Sequence, residues 1–144
     1  MDYFSDLAEE VAACLLYGLV GIALLALGFR VIDMLTPGHL GRQLADDRNR
    51  NAGVIVASGL LAIGIIVTAA IAAAEGSLLR GLGQAAAYGV IGIVLLAIAY
   101  GVIDLMTPGR LGESVMGEEG HEPLVYVTAA ALLSVGAVVA AAIS

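Results

Sequence analysis

The sequence has little charge, no lysine and only one cysteine. Of its 144 residues, 13% are charged and 60% are hydrophobic, whereas a soluble domain is roughly 25% charged and about 45–50% apolar. The net charge of -7 argues against a nucleic-acid partner. The single cysteine, Cys14, excludes an internal disulfide, and we expect it to be a small core residue.

Familiar enzyme signatures are also missing from the sequence. His39 and His121 belong to no zinc-binding spacing such as H-E-x-x-H, and the glycines are not gathered in a phosphate-binding loop. The acidic stretch at 118–122 is typical of a solvated loop rather than a metal site. We therefore expect no catalytic residues, no metal and no cofactor, and an enzymatic role is not favoured.

Four long apolar segments occupy most of the chain. A helix of about 20 residues crosses roughly 30 Å of hydrocarbon, and backbone polar groups in lipid must be satisfied within the helix. The sequence therefore predicts an all-α integral membrane protein with four transmembrane helices in a single domain, 1–144. The predicted helices are Val11–Met34, Gly53–Ala74, Leu82–Leu105 and Pro123–Ile143.

One stretch of the chain occurs twice. Residues 17–41 and 88–112 are identical at 15 of 25 positions, with a displacement of 71. This period predicts an internal duplication, with one two-helix repeat at about 9–75 and a second at 82–144. Because each repeat crosses the membrane twice, the two copies are expected to run parallel, with matching positions at matching depths.

Charge at the chain start and in the loops predicts the topology. The acidic residues 2–10 contain no base, so we expect no cleaved signal peptide. Four arginines lie in the first and third loops and only Arg80 lies in the second, which favours cytoplasmic first and third loops. Both termini are then expected outside.

The doubled motif carries a family resemblance. VIDMLTPGHLG and VIDLMTPGRLG each close the first helix of a repeat, and the chain resembles the domain-of-unknown-function 350 family of small bacterial and archaeal four-helix membrane proteins over nearly its whole length. The resemblance implies a multi-pass protein of the prokaryotic inner membrane, and it supplies no catalytic residues.

Asp33 and Asp104 are the strongest candidate functional residues, because an ionisable side chain within a membrane segment is a functional hypothesis by default. The alternative is structural, since Pro disfavours helix at the preceding Thr and Pro-Gly suits a type II turn. The Asp would then organise a helix terminator. The candidate ion or turn motif comprises Asp33, Thr36, Pro37 and Gly38 in one copy and Asp104, Thr107, Pro108 and Gly109 in the other.

Arg30 breaks the symmetry of the repeat, because its counterpart is Gly101. It precedes Asp33 by three residues, a spacing that permits an ion pair on a helix. The other interpretation, which is slightly favoured, is that its side chain extends to the lipid headgroups. The sequence leaves both interpretations open.

Small residues follow one face of the first and third helices, at Gly18, Gly21, Gly28, Gly89, Gly92 and Ala99. Helices in lipid associate through close backbone approach at small residues. We expect this seam to pack helix 1 against helix 3 or against a second subunit, although it could also line a narrow pore.

Three functions remain open on the sequence. The favoured one is a noncatalytic scaffold in the lipid bilayer that forms homo-oligomers and binds a cytosolic protein at loops 36–52 and 107–122. The alternative is a small cation channel or transporter that uses the Asp pair, because rings of acids favour cations. A lipid-acting enzyme is the least favoured, since the catalytic groups it would need do not converge.

Overall fold

The computed structural model describes residues 2–36, 50–106 and 123–144, which form four helices. Each helix is long and apolar enough to cross a membrane. The prediction of an all-α protein with four transmembrane helices is therefore confirmed, while the division into two repeats stays a prediction. The helices are α1 (Asp2–Leu35), α2 (Arg50–Ala72), α3 (Leu78–Met106) and α4 (Pro123–Ile143).

The observed bounds of α2, α3 and α4 lie within four residues of the predicted ones, but α1 begins nine residues before the predicted Val11. Charge marks where a helix leaves the hydrocarbon, and not where its backbone hydrogen bonds end. Residues 2–10 contain neither proline nor glycine, so nothing in the covalent chain interrupts the helix. α1 therefore begins before the predicted apolar span.

α2 and α3 occupy the middle of the bundle, with α1 and α4 on either side, and both outer helices contact both inner ones. The most extensive contact joins α2 to α4. Gly136 of α4 lies directly on Ala62 of α2, so close that an added methyl group would lie 2.7 Å from the Ala62 Cβ and 2.8 Å from its Cα. The absence of a side chain at Gly136 thus sets how closely these helices approach.

The core of the bundle is apolar and well filled. Ile55, Ile63, Ile66 and Leu132 have almost no accessible surface. Among the described residues, three buried Ser and Thr side chains each donate to a carbonyl of their own segment: Thr36 to Ile32 at 3.0 Å, Ser58 to Ile55 at 2.9 Å and Thr128 to Leu124 at 2.9 Å. Such bonds satisfy a hydroxyl without a partner on another helix.

A tight turn joins α2 to α3. Gly76 has a φ of 90°, a left-handed conformation that only glycine adopts without strain. The backbone N–H of Glu75 donates to the side-chain Oε1 of Gln84 at 2.9 Å, which ties the turn to the second turn of α3. The turn therefore fixes where α3 starts relative to the end of α2.

α1 and α3 are displaced along their axes relative to the sequence repeat. The Tyr17 hydroxyl lies against Gly81, and the Leu24 side chain lies against Gly89. These pairs are 64 and 65 positions apart, whereas the repeated motif is displaced by 71. At 1.5 Å per residue, equivalent positions therefore differ in level by about 10 Å. The expectation of matching depths is wrong for these two helices.

Candidate functional site

Asp33 and Asp104 lie near the ends of α1 and α3 that point away from the α2–α3 turn, and both side chains are half-buried. Ile32, the neighbour of Asp33, packs against Gly59 in the middle part of α2. The axial displacement of α1 places Asp33 about 10 Å closer to the α2–α3 turn than Asp104 is. The two carboxylates of one chain therefore do not share a plane across the bundle.

Thr36 closes α1 and is 3% exposed. Its backbone N–H and its side-chain hydroxyl both donate to the carbonyl oxygen of Ile32, each at 3.0 Å. The residue thus satisfies one of the free carbonyls at a helix end. The remaining motif positions, Pro37, Gly38, Thr107, Pro108 and Gly109, lie outside the described residues.

Tyr100 was missed by the sequence analysis. It is 5% exposed on α3, its side chain adjoins Thr36 of α1, and the charge of Asp104 lies one helical turn further on. Within the described residues, its hydroxyl is buried without a well-formed hydrogen bond. The signal in the sequence was the change from Phe29 to Tyr100 at equivalent repeat positions, which adds a single polar atom to a core position.

A small cavity lies beside this contact. It has a volume of about 10 Å³ and a wholly apolar lining that includes Ile32, Leu35, Leu96 and the ring of Tyr100. This volume is at the lower limit for a single water molecule, and a water needs two or more polar partners. The cavity is therefore too small and too apolar to hold a substrate.

The predicted small-residue seam is distributed over several contacts. The Leu24 side chain of α1 packs against Gly89. Gly21 and Gly28 instead contact α2, where they meet the side chains of Val67 and Ile63. Of the remaining members, Gly92 lies against Ile66 of α2 and Val139 of α4, Gly18 has no neighbouring atom within 4 Å, and Ala99 is half-buried. Within one chain, these positions thus serve four helix pairs rather than a single interface between α1 and α3.

Two further side chains of α1 point outward. Arg30 is exposed, and its pairing with Asp33 stays a prediction. Cys14 is also exposed, so the expectation of a core position was wrong. The reason is the axial displacement of α1, which places Cys14 level with the first residues of α3 instead of inside the bundle.

The outward face of α4 is lined by small residues. Ala130, Ser134, Ala137 and Ala141 are all exposed, at spacings of four, three and four residues. The Ser134 hydroxyl donates to the Ala130 carbonyl at 2.8 Å, so it needs no external partner. This strip, called here the α4 strip, is shaped for close approach of another helix.

An open groove runs along the outer surface of α2, with a volume of about 650 Å³. Its floor includes Gly64, above which no atom lies within 4 Å. Leu25 of α1 and Ala140 of α4 form its edges. Among the described residues that line it, Thr68 alone has a polar side chain, and its hydroxyl donates to the Gly64 carbonyl at 2.8 Å. The groove is therefore an apolar surface within the membrane.

The comparisons with known proteins agree with this architecture. The chain is 41% identical over 140 residues to a UPF0719 transmembrane protein of Mycobacterium bovis, covering 97% of this chain and 91% of the relative. It is 39% identical over 136 residues to a UPF0719 transmembrane protein of Mycolicibacterium paratuberculosis, covering 94% and 89%. No solved structure matches the chain significantly.

The family assignment follows from a match along nearly the whole chain. The profile of the family described as Domain of Unknown Function (DUF350) matches residues 6–143, which include all four helices except the first residues of α1. With its four membrane-spanning helices and its transmembrane relatives, the chain is a multi-pass membrane protein that belongs to the DUF350 family.

Proposed function

We propose that this protein is a noncatalytic membrane scaffold that assembles with further copies of itself. The observation that carries the proposal is the α4 strip, four exposed small residues on a membrane-spanning helix. Lipid tails are as apolar as leucine, so helices in a bilayer associate by close packing at small residues and not by apolar burial alone. A face of this kind favours contact with another helix over contact with lipid.

The groove on α2 supports the same proposal. Ridges of side chains on one helix pack into grooves on another, and the open position above Gly64 leaves room for a large side chain. α1 presents exposed large residues of the required kind, including Leu19 and Ile22. One copy could thus supply the ridge and the next copy the groove.

The mass of the protein in native-like lipid discs tests the proposal. We expect particles that contain multiples of the 14.5 kDa chain, and we expect Ser134→Leu and Ala137→Leu to shift them toward single chains, because a bulky side chain separates the helix backbones. Val138→Leu is the matched control, since Val138 is already large and 68% exposed on the same helix. A single-chain mass for the natural protein would refute the proposal.

A cation channel is the second candidate, and it is favoured by two half-buried carboxylates on helices that touch. The axial displacement weakens it, because Asp33 and Asp104 of one chain lie about 10 Å apart in level and cannot join a single ring. Cation flux into proteoliposomes, compared with Asp33→Asn and Asp104→Asn, separates the two. We expect no flux that depends on these carboxylates, and flux abolished by the double substitution would favour the channel.

A further inference from the structure

The first residues of α1 extend beyond the rest of the bundle. α1 contains 34 residues and is therefore about 51 Å long, well above the roughly 30 Å of a hydrocarbon core. Because Leu24 lies against Gly89, eleven residues after the start of α3, that start is level with about residue 13 of α1. Every residue from 3 to 12 is exposed. We call residues 2–12 the α1 extension.

The α1 extension is amphipathic. At about 100° per residue, its apolar side chains Tyr3, Phe4, Leu7 and Val11 fall within an arc of about 100°. The acids Asp6, Glu9 and Glu10 fall within a separate arc of similar width. With Asp2, the extension has four acids in its sequence and no arginine or lysine. The apolar and acidic faces meet at one edge only.

The apolar face includes a pair of aromatic rings. Tyr3 and Phe4 pack edge to face, with ring centroids 5.7 Å apart, and they are 71% and 76% exposed. If hydrocarbon begins near Val11, a helix along the membrane normal holds these rings about 10–12 Å above it. The headgroup layer is only about 5–7 Å thick on each side. With that boundary, the rings lie above the layer in which lipid would cover them.

We propose that the α1 extension is a docking helix for a different protein, one that offers an apolar groove bordered by arginine or lysine. Exposed apolar clusters with a polar border mark interaction sites, and an amphipathic helix binds by placing its apolar face in such a groove. At the edge between the two faces, Asp6 lies one turn from Tyr3, and Glu10 lies one turn from Leu7. Basic residues of the partner are therefore required along that edge.

Charge disfavours the two other possible occupants, which are the extension of a second copy and a lipid surface. Extensions of two copies, packed side by side, would bring eight carboxylates together without a single base to offset them. An anionic lipid surface would repel the same four acids of each extension. A basic partner is attracted by the same carboxylates that repel the other two occupants. The inference goes beyond the proposed scaffold, because it concerns another surface and another occupant.

Photo-crosslinking in cell membranes tests the inference on the full chain. A benzoylphenylalanine placed at Phe4 is compared with one at Ala12, which is exposed but lies outside both arcs. We expect an adduct from Phe4 and at least five-fold less from Ala12. Mass spectrometry of the adduct should identify another protein with arginine or lysine beside the crosslinked position. A contact surface without basic residues would overturn the proposal.

A matched pair of charge variants makes the test specific. Asp6→Asn with Glu10→Gln neutralises the edge, and Asp2→Asn with Glu9→Gln removes the same amount of charge elsewhere in the extension. We expect the first to reduce the adduct at least five-fold and the second to reduce it less than two-fold. Equal effects, a lipid adduct or no adduct would each overturn the proposal. An adduct of two copies would also overturn it, while supporting self-assembly.

Discussion

Replacing Gly136 with alanine should destabilise the bundle. The new methyl group would lie 2.7 Å from the Cβ of Ala62 and 2.8 Å from its Cα, whereas carbon atoms pack at about 3.5–4.0 Å. α2 and α4 must therefore move apart by about 1 Å at their most extensive contact. Because a backbone atom is involved, no rotation of a flexible side chain can relieve the overlap.

The expected loss is best measured against a second glycine. Overpacking typically costs about 1–3 kcal/mol, while glycine to alanine in a helix returns up to about 1 kcal/mol of helix propensity. Gly101 is on α3 with no neighbouring atom within 4 Å, so Gly101→Ala carries only the propensity gain. We therefore expect Gly136→Ala to be less stable than Gly101→Ala by about 1–3 kcal/mol.

Equilibrium unfolding in mixed micelles of mild detergent and dodecyl sulfate provides the assay. Far-ultraviolet circular dichroism is the suitable probe, because the chain has no tryptophan. Gly136→Val should unfold more readily still, since its additional methyl groups meet the same backbone. Equal unfolding free energies for Gly136→Ala and Gly101→Ala would show that α2 and α4 do not meet at Gly136, and would refute the packing described here.

Three further substitutions test other parts of the molecule. Tyr100→Phe should leave the unfolding free energy unchanged or raise it by up to about 1 kcal/mol. The reason is that it removes a buried hydroxyl without a well-formed hydrogen bond among the described residues. A clearly lower unfolding free energy in the same assay would contradict this expectation. Gly76→Ala should cost about 1–2 kcal/mol because of its positive φ, whereas Gly83→Ala, which meets no atom within 4 Å, should cost nothing. Phe4→Ser should leave thermal unfolding in detergent unchanged, because Phe4 is 76% exposed and its ring contact is with the adjacent Tyr3; a lower melting temperature would place the α1 extension against the bundle.

The candidate site was only partly accessible to sequence reasoning. Asp33 and Thr36 were found because the motif occurs twice. Tyr100 was missed, since a tyrosine in an apolar segment gives no sign of which helix its hydroxyl will face. Its position beside Thr36 depends on the axial displacement of α1 against α3. The same displacement exposes Cys14, which the apolar pattern alone placed in the core.

By itself, the sequence determined the four helices and their membrane setting. Backbone groups in lipid must bond within their own segment, so hydropathy and length decide these features locally. Only the tertiary structure decided the level of each helix. That level depends on which side chain fills which gap, such as Leu24 over Gly89 and Ile32 over Gly59, and a periodic apolar surface permits several such registers. The register adopted projects the start of α1 beyond the bundle and separates the repeated carboxylates in level.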